Sequence, residues 1–271
     1  MAYWLKRMNM KLQIKFEILK FSRSLYLPSL IILIWYIIVL RGTFSEALLP
    51  SPFVVLTALF EGLITGELLS HIIVSLKRVA IGYSVAVSIA ILLGLGIGWY
   101  RKAELFTAIV IYFIRLIPPV AWIPFAMLWF GLGNTSCIFI ISLATFFPAL
   151  VNTAYGVKNV ELNLIKAALT LGAKPHSWFM FKEVVFPSAL PAIATGMRLS
   201  LGYAWTSLVA AEMFAATAGI GYSIMKGRLI LRTDKVILGM LIIALLGFIM
   251  DKIVSIIENK LLYWEVGLRK K

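Results

Sequence analysis

Five ionisable residues fall within or beside long apolar runs of this 271-residue chain: Arg115, Arg198, Glu212, Asp251 and Lys252. A charge in hydrocarbon is costly, so each is a candidate for a solute or ion path. Asp251 and Lys252, near the inner end of the last run, can snorkel or pair, and Arg198 has a similar escape. Arg115 and Glu212 are harder to dismiss. Glu212 lies toward the outer end of its run, where it could meet solute, water or a cation, and Arg115 and Glu212 are the candidates for a translocation path.

No catalytic constellation assembles from the rest. HExxH and GxSxG patterns are absent, and His71 and His176 fall in separate stretches outside the apolar runs. A single cysteine, Cys137, excludes an internal disulfide and a cysteine-based metal cluster. Without a GxxxxGK[ST] phosphate loop, the chain is expected to bind no cofactor and to hydrolyse no ATP by itself. It reads as non-catalytic, with any energy for transport supplied elsewhere.

The elements that must position these residues follow from composition. Hydrophobic residues make up 61% of the chain and charged residues 14%, against roughly a quarter charged in a soluble domain. Backbone groups in lipid must be satisfied within their own segment, so apolar runs of bilayer length predict helices. The expectation is an all-α integral membrane protein with about six transmembrane helices: Ser24–Leu40, Val79–Tyr100, Leu105–Phe130, Ser136–Tyr155, Leu190–Phe214 and Val236–Ile257. The third and fourth come from one uncharged stretch, Leu116–Val157, broken at Gly131-Leu132-Gly133-Asn134. Pro118-Pro119 and Pro124 must bend the third, because each proline removes an intrahelical hydrogen bond.

The formal charge of +14 does not indicate nucleic acid, since Lys and Arg fall between the apolar runs without a basic stripe. They read as topology signals. Residues 1–23 form a basic N-terminus, residues 24–257 the membrane domain and residues 258–271 a tail, with both termini expected in the cytoplasm. On that orientation Lys77 and Arg78 belong to an outside segment. The first run is expected to be a retained signal anchor.

Small residues recur at every fourth position in two spans: Gly82, Ala86, Ala90, Gly94 and Gly98, then Ser188, Ala192, Gly196, Ser200 and Ala204. Such stripes let helices approach closely, within one chain or across a dimer. The inside loop 156–187 carries a helical pattern of its own. Asn159 is a candidate N-cap with Glu161 in the first turn, Leu162, Ile165, Ala168 and Leu169 recur at helical spacing, and Gly172 can supply a left-handed C-terminal cap. An apolar stripe at a cytoplasmic face lies on lipid or docks in a partner's groove.

This loop resembles that of the permeases of bacterial and archaeal binding-protein-dependent ABC importers, whose pattern is E-A-A, three residues, Gly, nine residues, I-x-L-P. The matching residues are Lys166-Ala167-Ala168-Leu169-Thr170-Leu171-Gly172 and Val184-Val185-Phe186-Pro187. Leu49-Pro50-Ser51-Pro52, Ser75-Leu76-Lys77-Arg78-Val79, the run from Ile117 to Pro124, and Leu208 to Met213 are similar to the aliphatic-sulfonate, taurine and nitrate branch. Two departures stand out: Lys166 replaces the Glu, and fourteen residues rather than twelve separate Gly172 from Pro187.

The resemblance implies a type I importer permease in a plasma membrane. Two permease chains would form the path, two cytoplasmic ATPases would bind the loops and use ATP, and an external solute-binding protein would deliver a small anion. Lys166, Ala167, Ala168, Gly172 and Pro187 would belong to the ATPase-coupling loop. An ion-coupled secondary transporter is the alternative, but such a carrier usually needs midplane carboxylates or broken-helix ion sites, and often an inverted repeat, and no repeat is found.

Overall fold

Capping and proline chemistry set the helix boundaries. The computed structural model describes residues 26–262, which form helices and turns with no strand among them. α1 spans Tyr26–Leu40 and α2 Pro52–Ile64. Ser51 caps α2 by accepting a hydrogen bond from the Val54 amide, and Pro52 suits the first helical position, where a missing N–H costs nothing. α3 (Glu67–Trp99) and α4 (Arg101–Leu116) follow, then a 3₁₀ turn over Pro119–Trp122, α5 (Ile123–Phe130) and α6 (Asn134–Lys158). α7 (Leu162–Thr170) and the single turn α8 (Trp178–Met180) lead through a π-helical stretch, Phe181–Val185, into α9 (Phe186–Ala215). α10 (Ile220–Leu229) and α11 (Thr233–Leu261) close the described chain.

Four helical segments are long and apolar enough to cross a membrane, and the α4–α5 pair makes a fifth. α1 lies within the first expected span, but over the described residues Tyr26–Leu40 it is shorter than a crossing; Ser24 and the basic N-terminus lie outside the described residues, as does most of the C-terminal tail. α11 runs to Leu261, so the first residues of the expected tail are helical. Two helices were not expected, α2 and α10, both too short for a crossing.

The third span is broken rather than curved. α4 and the Pro119–Phe130 segment meet at 86°, and Ile117, held extended ahead of Pro118, marks the break. The second span needs correction at its start. Gly66, in a left-handed conformation with φ 72°, turns α2 directly into α3, so the helix begins at Glu67 rather than near Val79. Lys77 and Arg78 therefore lie on a helix and not in an outside loop.

Both small-residue stripes pack within the chain, on opposite sides of α6. A Cβ added at Gly94 would sit 2.7 Å from Thr153 Cβ and 2.9 Å from the Leu150 carbonyl oxygen. On the other side, Gly196 faces Asn152 and the Pro148 carbonyl, and the Ser200 hydroxyl donates to the Thr145 carbonyl oxygen at 2.7 Å. Contacts this close leave no space for side chains between backbones, and lipid-embedded helices associate through such packing. α3, α6 and α9 thus form a slab with α6 at its centre.

Candidate functional site

At the end of the slab where α6 begins, the first third of α3, the last turn of α9 and the start of α10 enclose a charged network. Glu212 is fully buried and Arg78 nearly so, at 0% and 3% exposed. Arg78 Nη1 donates to Glu212 Oε1 at 2.8 Å, and the Ser75 hydroxyl donates between both carboxylate oxygens at 2.8 and 2.9 Å. The Gly221 amide donates to Glu212 Oε2 at 2.9 Å. The remaining guanidinium donors are used as well: Nε and Nη2 reach Asn134 Oδ1 at 2.9 and 2.7 Å, and Nη1 also meets the Ala218 carbonyl oxygen. A buried pair in which four of the five guanidinium protons and both carboxylate oxygens have partners is tolerable where a bare charge is not.

The network also fixes the turn between α9 and α10. Ser75 Oγ accepts from the Ile220 amide at 2.9 Å, and His71 Nδ1 accepts from the Gly219 amide at 3.0 Å. Gly219 has φ 120°, and a Cβ there would overlap the Glu212 carboxylate. Only glycine lets the backbone come this near while holding that conformation.

A second arrangement surrounds Arg115, at the last turn of α4 before the proline break. Two cavities, of about 280 and 330 Å³, share Arg115 and Val151. The first runs along α4 and α6 toward Glu104 and Lys158, which are paired with each other. The second opens between the break, α6 and α9, beside Pro119, Phe147, Asn152 and Tyr203. Arg115 Cζ stands 5.3 Å from the centre of the Tyr112 ring, and no carboxylate among the described residues pairs with it.

At the opposite end of the slab from the network, the chain from α6 to α9 projects as a structured loop. Ala168, Met180, Val185 and Ala189 are buried in one apolar cluster with Val157 and Val160, which seats α7 against the ends of α6 and α9. Trp99 meets His176 and Phe181 edge to face at 5.3 and 5.2 Å. Gly172 takes the left-handed conformation its position suggested, with φ 91°. The Ala173 amide donates to the Ala168 carbonyl and the Gly172 amide to Leu169, the paired bonds of a Schellman cap. Leu162 and Leu171 are 68% and 88% exposed, so this seated loop still offers apolar side chains outward.

The sequence matches the model of the binding-protein-dependent transport system inner membrane component over residues 86–263. The chain belongs to this family of transport permeases. It is 41% identical to a protein of Methanocaldococcus jannaschii named as an ABC transporter permease, over 96% of each chain. A permease of Bacillus subtilis named for aliphatic sulfonates transport is 36% identical over 89% of this chain and 87% of its own length. The inward-facing MetNI methionine ABC transporter shares the fold, with a TM-score of 0.54 at 15% identity, covering 73% of this chain and 96% of the other. The permease is thus the membrane-spanning subunit of an ABC transporter.

Within the permease, Arg115 and Glu212 have different surroundings. Glu212 is sealed from solvent and hydrogen-bonded through both carboxylate oxygens. Arg115 is exposed to the cavities. Arg198 pairs with Asp251 at 2.9 Å and with Glu258 at 3.4 Å, while Lys252 instead lies 5.6 Å from the Phe248 ring centre.

Of the loop residues, Lys166 and Ala167 are exposed, Ala168 is buried, and Pro187 sits in the first turn of α9. Asn159 is not the cap of α7. It ends α6, its amide and side chain both donating to the Tyr155 carbonyl, and Glu161 stands at the start of α7. The buried Val160 between them forces the chain to turn first. Sequence reading missed Arg78, Ser75 and Asn134. The available signal was that Ser75 and Arg78, three apart, share a helix face, and that a lone buried carboxylate needs a cation.

Proposed function

We propose that two copies of this permease form the path of an importer, driven by cytoplasmic ATPases docked on loop 156–187 and supplied by an external solute-binding protein. The solute is a small anion, such as a sulfonate, taurine or nitrate, crossing the plasma membrane, and both termini face the cytoplasm. The observation that carries this reading is the seated loop itself, an amphipathic helix held rigidly against the slab with apolar side chains facing outward. The relative named for aliphatic sulfonates favours the solute class.

The mechanism follows from stiffness. Because α7 packs into the same cluster as the ends of α6 and α9, a force on α7 moves those helices as a body. Closure of the ATPases on ATP would press on the exposed faces of the paired loops and switch the path between outward and inward openings. ATP is used by the partner, and this chain contributes the path and the lever.

Proteoliposomes holding the permease with its ATPase, given the binding protein and internal ATP, should accumulate a labelled alkanesulfonate, taurine or nitrate. Uptake driven by a proton or sodium gradient without ATPase would replace this reading with an ion-coupled carrier.

Gly172→Val tests the loop. No atom outside the adjoining chain lies within 4 Å of an added Cβ, so the penalty comes from φ 91° alone, about 1–2 kcal/mol. Membrane insertion should stay normal, while ATPase co-purification or solute-stimulated hydrolysis falls, with Leu164→Met as the control. Normal assembly, hydrolysis and transport in this variant would show that the loop does not couple the subunits.

A further inference from the structure

Arg115 differs from the other arginines set back from span ends. Arg78 is paired with Glu212, and Arg198 with Asp251 and Glu258. Arg115 lies fourteen residues into α4, about 21 Å along the helix from Arg101 at 1.5 Å per residue, too far for its side chain to reach that end. An intramembrane cation facing lipid at such depth is costly, and one facing water is not. Arg115 lines both cavities, and water in them would solvate its charge.

The surroundings suit a ligand of defined charge. The guanidinium stands near the Tyr112 ring, a favourable cation–aromatic contact, and its fork of N–H donors has no carboxylate partner among the described residues. The larger cavity brings Asn152, on α6, and Tyr203, on α9, to the same space. The Asn152 amide nitrogen donates to the Pro148 carbonyl at 2.8 Å, which fixes the side chain and leaves its second N–H for other use. Leu143, Phe147 and Leu199 make the rest of the wall apolar. A small organic or inorganic oxyanion fits these features: one diffuse negative charge for the planar fork, polar oxygens for Asn152 and Tyr203, and little else to bind.

We infer that Arg115, with Asn152 and Tyr203, forms the oxyanion-binding station of the translocation path, and that it selects solutes bearing a monovalent oxyanion group over solutes without one. The inference rests on the proposed small-anion importer and adds the residues that recognise the anion. One charge per subunit binds the solute without trapping it, since a pathway site must release what it holds.

The test uses the complete complex in proteoliposomes with labelled methanesulfonate, taurine and nitrate. Initial uptake is measured beside ATP hydrolysis stimulated by the loaded binding protein. Arg115→Gln should lower uptake by about ten- to a hundred-fold, the range for losing a hydrogen bond to a charged group, with complex assembly and stimulated hydrolysis retained. Arg115→Lys should keep a larger share of uptake, because the charge survives while the planar fork does not. Tyr203→Phe, which keeps the ring and removes the hydroxyl, should raise the concentration for half-maximal uptake.

Wild-type uptake of an anion with unchanged uptake in Arg115→Gln would overturn this assignment while leaving the importer reading intact. Loss of assembly or of stimulated hydrolysis in both Arg115→Gln and Arg115→Lys would assign Arg115 a structural role and overturn it as well. A wild-type complex that imports a solute without an oxyanion group and none of methanesulfonate, taurine and nitrate would overturn both readings.

Discussion

Glu212→Ala should destabilise the permease by about 3–5 kcal/mol, the cost of leaving the buried Arg78 guanidinium without its counter-charge. The loss is large because the partner cannot escape: Arg78 is 3% exposed, enclosed by α3, α6 and the α9–α10 turn. Arg78→Ala should cost a similar amount, since it strands the carboxylate and takes two donors from Asn134. Replacing both, as Arg78→Met with Glu212→Leu, should recover most of the stability, because apolar residues of similar volume avoid the desolvation of either charge. The measurement is the thermal midpoint of the detergent-solubilised chain by size-exclusion, in a double-mutant cycle. Single and double variants that all unfold at the wild-type temperature would show that the pair holds nothing together.

The second large effect is expected at Gly94→Leu. Even the first carbon of that side chain would lie 2.7 Å from Thr153 Cβ and 2.9 Å from the Leu150 carbonyl oxygen, and a backbone atom cannot swing aside. α3 and α6 must separate, which costs more than the about 1–3 kcal/mol usual for overpacking a flexible core. The expected result is little folded protein at normal synthesis, read as membrane-extracted monodisperse protein. Gly96→Leu, on the same helix with no atom within 4 Å of an added Cβ, should express normally. If Gly94→Leu behaved like Gly96→Leu, the close approach of α3 to α6 would be wrong.

The apolar cores of the later spans and the break at Pro118-Pro119 were legible because each depends on a single local rule: bilayer length, or a proline without an amide proton. Gly172 was legible for the same reason, as the end of a periodic segment. What escaped was set by tertiary partnership. Lys77-Arg78 looks like a loop end when read along the chain, and only the carboxylate of Glu212, 134 residues away, makes a helical interior tolerable for Arg78. α10 was hidden for a similar reason. Ten residues of mixed polarity do not announce a helix, and this one is held at its start by Ser75, His71 and Glu212. Asn159 was misread because two helix ends lie within three residues, and sequence could not say which of them its side chain serves.

Close packing of α3 and α9 on both sides of α6 has a mechanical side. Helices whose backbones touch through glycine cannot slide a full turn past one another without passing through a clash, so the slab tilts as a plank rather than shearing. α6 has 25 residues, about 37 Å at 1.5 Å per residue. Tilting that plank by about 10° around its loop end would sweep the Arg78–Glu212 end sideways by about 6 Å, roughly the width of a small hydrated anion. On the proposed coupling, a small nudge at α7 would thereby be magnified at the far end of α6.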